Sequence, residues 1–329
     1  MTTQLKNALK EFFIDNNYSF QNNYYLSTIK ENTFYKAIPD NIETMFRNGN
    51  GGEFTKKKDG AQKAEAIHSS SMLAYNFFGW IDENHPFIYE NVKYDKVVFE
   101  EQLRVLEFGK SEIRKQKSNA KANMDVVLAG INRSSKKLSL LFIESKFTEH
   151  LSNSRSDLIN MVESYSCPDC YFDHTEGVAW SKLVNDWKKC AKNKSIKGYF
   201  SGIKQDVCHL IAISNLMNNK TRRWFNTTGA SGYGSWLKKV HNITLDGRED
   251  IKFRNVIFSP SNQYTVDKEC ADNYRHLYQE FEKDVMCIIS PKLDIGLTTY
   301  PELWKEMEKC IDDNDLKHYL YNRYVKFQE

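Results

Sequence analysis

Residues 122–147 read ANMDVVLAGINRSSKKLSLLFIESKF, and the fold turns on them. From Asn123 to Leu128 the chain is short, apolar and valine-rich. Gly130-Ile131-Asn132-Arg133-Ser134-Ser135-Lys136-Lys137 then carries turn residues, and Leu138 to Ile143 is an almost unbroken apolar run. Such runs, separated by turn formers, predict a hairpin that enters a buried sheet. Strand side chains alternate faces, so Leu138, Leu140, Phe142, Glu144 and Lys146 share one face. Ser139, Leu141, Ile143 and Ser145 share the other.

Glu144 and Lys146 thus point the same way at the end of a strand too apolar for the surface. Burying a carboxylate beside an ammonium is costly without a partner or a use. Asp125 supplies a second carboxylate from the neighbouring strand. Paired carboxylates make an oxygen site for a hard divalent cation such as magnesium, which keeps several waters. One such water can serve as a nucleophile. A lysine beside it can hold or deprotonate that water, or offset charge on a phosphorus under attack; both roles stay open at this point.

An Asp in a strand, a loop, and an apolar strand ending in Glu144-Ser145-Lys146 resembles the PD-(D/E)xK nuclease superfamily. The bare triplet recurs as Asp186-Trp187-Lys188, Asp250-Ile251-Lys252 and Asp315-Leu316-Lys317, but without an apolar strand run and an upstream Asp-Val-Val. Met124 stands where the superfamily's name has proline. The resemblance covers about Gly51 to Ile213. It implies an α/β, restriction-endonuclease-like fold with a mixed central β-sheet flanked by α-helices. It also implies magnesium, with manganese as a substitute, at Asp125 and Glu144, and Lys146 assisting the attacking water.

In the superfamily an upstream glutamate often joins the metal site; Glu100 is the best match, with Glu53 and Glu101 as rivals. Gln205-x-x-x-His209 is similar to the Gln-x-x-x-Tyr helix of the recombination-exonuclease branch, whose Gln contacts the catalytic centre. Histidine in place of tyrosine leaves the role of His209 open. Gly51-Gly52-Glu53 and His68-Ser69-Ser70 look like features of a bacterial, restriction-type group. The implied function is hydrolysis of phosphodiesters in double-stranded DNA by a restriction or defence endonuclease. A homodimer is expected, because double-strand cutting commonly uses two sites. A degenerate nuclease fold serving as a DNA-binding or assembly module, and a nuclease acting on RNA, remain alternatives.

Composition frames this reading. At 329 residues, 40% hydrophobic and 27% charged, the chain suits a soluble globular protein with a sizeable core. A net charge of +3 neither demands nor excludes a polyanionic partner. No apolar run approaches a membrane span, and Met1 to Lys10 lacks a signal-peptide core, so a cytoplasmic location is expected. The 7 cysteines are odd in number and scattered, which argues against a disulfide framework. Cys167-x-x-Cys170 is half a zinc site, and His174 and Cys190 would complete it only at a non-standard spacing, so structural zinc is not expected.

Helical spacing over Leu5–Phe13 and Thr28–Phe46 predicts an N-terminal helical extension within residues 1–60, ahead of a nuclease-like domain over 61–329. The glycine-rich Asn48–Phe54 loop, followed by Lys56-Lys57-Lys58, lacks a P-loop ending. It is either a basic, DNA-facing loop or a plain connection. Ala61–Trp80 predicts one amphipathic helix, Lys96–Leu106 a strand, and Arg114-Lys115-Gln116-Lys117 a loop able to meet phosphate. Helices are expected over Leu158–Tyr165 and Trp180–Cys190, then a helix from Gly198 that runs into a further strand near Ile213. Arg222-Arg223-Trp224-Phe225 and the Gly229–Trp236 loop could meet phosphate and stack on bases, or pack the tryptophan inward. Asn255–Phe258 reads as a buried strand, and Cys270–Met286, Thr299–Cys310 and Leu316–Val325 as C-terminal helices.

Overall fold

The computed structural model describes residues 1–49, 52–56, 60–105, 121–161, 174–227, 234–289 and 293–329, with only the backbone of 174–177. The Asn50-Gly51 and Lys57-Lys58 parts of the glycine-rich segment, the Arg114–Lys117 loop, Cys167, Cys170 and residues 229–233 lie outside the described residues. Strands β1 (Phe20–Asn22) and β2 (Tyr25–Leu26) form a small antiparallel pair. The main sheet has β3 (Phe87–Tyr89), β4 (Val92–Arg104), β5 (Lys121–Asn132), β6 (Leu138–Lys146), β7 (Asp250–Ile257) and β8 (Leu293–Thr299), adjacent in chain order. Pairing is antiparallel from β3 to β6 and parallel from β6 to β8. The expected mixed sheet and its hairpin are therefore present. Two-sided burial explains why β6 is apolar almost throughout: from Ser139 to Lys146 every residue is buried.

Helices α1 (Thr3–Asp15), α2 (Asp40–Asn48) and α3 (Ser70–Phe78) precede the sheet. Between β6 and β7 come α4 (Ser156–Ile159), α5 (His174–Lys192), α6 (Phe200–Met217), α7 (Arg222–Phe225) and α8 (Trp236–His241). The chain continues through α9 (Thr265–Met286), α10 (Tyr300–Met307) and α11 (Asn314–Arg323). Leu5 and Phe13 of α1, Phe46 of α2 and Leu320 of α11 share one hydrophobic cluster with the sheet. Among the described residues no helix is long and apolar enough to cross a membrane.

The structure corrects four expected elements. The helix expected over 28–46 is broken: Lys36 takes a left-handed φ of +52° and Pro39 supplies no amide to a helical ladder, so only a 3-10 turn at Ile29–Asn32 and α2 form. The helix expected over 61–80 begins only at Ser70, because the Ser69 side chain accepts a hydrogen bond from the Met72 amide at 3.3 Å and caps it. Leu210–Ile213 continues α6 and is not a strand; a short run of buried apolar residues does not distinguish the two. Of the helix expected over 158–165, α4 ends at Ile159, and residues 162–165 lie outside the described residues. Strand β8, reading LDIGLTT, has too mixed a pattern to be visible in the sequence.

The cap yields a test. Ser69→Ala should lower stability by about 1 kcal/mol in urea denaturation, the usual cost of losing a serine cap. A continuous helix through this position would instead gain stability from alanine.

Candidate active site

Three strands end around one cavity of about 430 Å³. Asp125 enters it from the first half of β5, Glu144 and Lys146 from the end of β6, and Glu100 from the end of β4. The alternation read in the sequence puts Glu144 and Lys146 on one face, and their side chains meet directly in a buried ion pair. Lys146 Nζ also donates to Gln205 Oε1 of α6 at 2.7 Å. Asp125 is held from below, since its Oδ2 accepts the Ser145 backbone amide at 2.7 Å. The structure thus brings together Glu100, Asp125, Glu144, Lys146 and Gln205 on the wall of one cavity.

Burial and mutual repulsion set the electrostatics. Asp125 is held well above the usual carboxylate range, first by burial and then by the Glu144 charge, against the opposing pull of Lys146. Glu100 is pushed up to about 8 by burial, then by Glu53 and Glu144. Burial alone would lower the Lys146 ammonium, but the Glu144 and Asp125 carboxylates outweigh it and hold the lysine cationic. Burial lowers His209, so its Nδ1, 3.5 Å from Glu144 Oε2, belongs to a neutral imidazole and this contact is not an ion pair. Glu144 Oε2 itself is buried and accepts no hydrogen bond.

The rival glutamates separate cleanly. Glu101 turns away from the cavity and caps α8: its carboxylate accepts from Ser235 Oγ at 3.1 Å, Trp236 N at 3.1 Å and Leu237 N at 3.0 Å. Glu53 does line the cavity, 3.4 Å from Lys63, together with Glu100. Glu100 takes a left-handed φ of +49°, unusual for a non-glycine residue in a strand. Its side chain lies so close to Gly49 that a methyl group there would collide with it.

Other residues line or back the same wall, and of these Glu149 and Asp206 had no visible signal in the sequence. Ser70 and Ser71, at the start of α3, line the cavity together with Glu149 and Glu53. Glu149, just past β6, also accepts the Phe147 and Thr148 amides, each at 3.0 Å. Asp206, between Gln205 and His209 on α6, is fully buried; its Oδ2 accepts from Asn255 Nδ2 at 2.9 Å and Tyr274 Oη at 3.3 Å. By contrast Trp224 and Phe225 are buried, so the Arg222–Phe225 segment packs its aromatics inward and offers no stacking surface.

Among the described residues no group of three or more His, Cys, Asp or Glu side chains is gathered tightly enough to hold a metal by itself. The donor chemistry nevertheless fits a hard cation. Glu144 Oε2 is an unspent buried oxygen, and the neighbouring carboxylates raise one another for want of positive charge. Water molecules would complete such a shell, as magnesium prefers.

In comparison with known proteins, a family model described as restriction endonuclease associating with ARP matches residues 4–195. The matched stretch contains Glu100, Asp125, Glu144 and Lys146 and ends before Gln205. No curated protein and no solved structure matches the chain.

Asp206 gives a pH test. Burial first, and the Glu144 charge second, push it up to about 8. Between the unfolded value of 3.8 and this folded value the native state binds the extra proton. Its contribution is therefore complete below the lower value and is lost as pH rises towards 8. The advantage of Asp206→Asn over the parent should grow from pH 5 to pH 8 in urea denaturation; parallel stability profiles would contradict the assignment.

Proposed function

The chain belongs to the family of restriction endonucleases associating with ARP, and on that premise we propose that it is a metal-dependent endonuclease that hydrolyses phosphodiester bonds of double-stranded DNA in restriction or phage defence. A nuclease-related role follows from the family, together with the restriction-endonuclease-like α/β fold. The observation that carries the finer reading is the convergence of Asp125 and Glu144 with Lys146 on one open cavity.

Asp125 and Glu144, with Glu100 beside them, would hold magnesium or manganese. When bound, the ion supplies a Lewis acid and a water of lowered pKa. Lys146, whose ammonium the two carboxylates favour, would donate a hydrogen bond to developing negative charge. Gln205 fixes the direction of its ammonium. His209, lowered by burial, lies 3.5 Å from Glu144 Oε2 without a hydrogen bond to it. A homodimer would place two such cavities on the two strands of a duplex, and the cytoplasm, where the DNA lies, is the proposed location.

Asp125→Asn, Glu144→Gln and Lys146→Met should each lower cleavage of plasmid DNA with magnesium by a factor of about 100 or more, the scale of losing one preorganised electrostatic group. Affinity for DNA in chelator should stay close to the parent's. Full activity in any of these variants removes that residue from the mechanism, and cleavage that persists in chelator removes the metal.

A further inference from the structure

We propose that the β4–β5 ribbon carries a phosphate track, along which Lys121 and Lys239 lead one DNA strand out of the catalytic cavity; this rests on the nuclease reading above. The register argues for it. Phe99 pairs with Val126 and Glu101 with Met124, so Glu100 falls opposite Asp125; the next rungs on the same face are Gln102 opposite Asn123, then Arg104 opposite Lys121. The ribbon thus passes from an acidic rung through an amide rung to a cationic rung. At a rise of about 3.4 Å per residue the first and last are roughly 14 Å apart. Lys121 and Asn123 line the cavity together with Asp125, and Lys121 Nζ reaches back to Gln102 Oε1 at 2.6 Å.

This rung carries an intrinsic cost. Like charges directly opposite on neighbouring strands repel. Lys121 is lowered by burial first, then by Arg104 and Lys239, so the three cations sense one another. Among the described residues neither Lys121 nor Lys239 forms an ion pair with a carboxylate. Glu101 is near Lys239, but its oxygens are taken by the start of α8. Lys239 instead lies 4.7 Å over the ring of Trp236, which covers a surface that could otherwise stack on a base. Lys204 adds a further cation on the α6 side of the cavity. The cationic rung beyond the acidic one, with Lys204 on the opposite wall, sets positive charge on both sides of the carboxylates, as a polyanion with recurring phosphates requires.

The test is fluorescence anisotropy of the full chain with a labelled DNA duplex in chelator, over a series of salt concentrations. Lys121→Gln and Lys239→Gln should each lower the slope of log affinity against log salt by about 1, the signature of one lost phosphate contact. Lys121→Arg should restore the slope, and Lys309→Gln, paired with Glu306 on α10's outer end, should leave it unchanged. Unchanged slopes in both glutamine variants, or binding to an RNA duplex but not to DNA, would overturn the track. Slopes that change as expected in a protein that cleaves nothing with any divalent ion would leave the track standing and remove the nuclease reading.

Discussion

A buried ion pair at the end of an apolar strand is the constraint on which this structure depends. β6 carries its charge at the last rungs, where Glu144 is 2% and Lys146 3% exposed. Desolvating both ions costs several kcal/mol each unless geometry and further hydrogen bonds recover it. The groups around them perform that recovery in part: Gln205 Oε1 accepts a hydrogen bond from the ammonium, the Ser145 amide donates to Asp125, and His209 lies against Glu144. The pairing of β6 with β7 sets Asn255 opposite Glu144, and Asn255 in turn holds Asp206 on α6. The sheet and the helix that crosses it are therefore locked together through the same charged rung.

The recovery is incomplete on the acidic side. Glu100, Asp125 and Glu144 share the wall with Glu53, and burial and repulsion raise Glu53, Glu100 and Asp125 alike. Glu100 is also held in a left-handed backbone conformation against Gly49. Backbone strain and unspent carboxylate oxygens cluster where a protein keeps groups ready for a ligand. A divalent cation would supply the missing positive charge and relieve the repulsion.

Much of this was legible in the sequence because strand alternation is strict. The hairpin, the shared face of Glu144 and Lys146, and Asp125 beside them follow from period and turn chemistry alone. Gln205 was reachable only through the resemblance of Gln205-x-x-x-His209 to the superfamily's Gln-x-x-x-Tyr helix. Glu100 was preferred to Glu101 and Glu53 by resemblance alone, since the left-handed turn at Glu100 is a tertiary outcome. Asp206 looks like any polar residue of an amphipathic helix until the packing of α6 against Asn255 and Tyr274 is known. Ser69 reads as a helix interior until its cap is seen, and the Arg104–Lys121 rung exists only once register is fixed. The cysteine pair at 167 and 170 lies outside the described residues.

We propose that Asp125 and Glu144 form a cation site beside a lysine held cationic. Titration of the full chain with manganese, read by electron paramagnetic resonance of the free ion, measures this directly. Saturable binding that Glu144→Gln and Asp125→Asn each weaken, with the fold intact by circular dichroism, is the result predicted. Binding that never saturates, or that survives both substitutions unchanged, would contradict it.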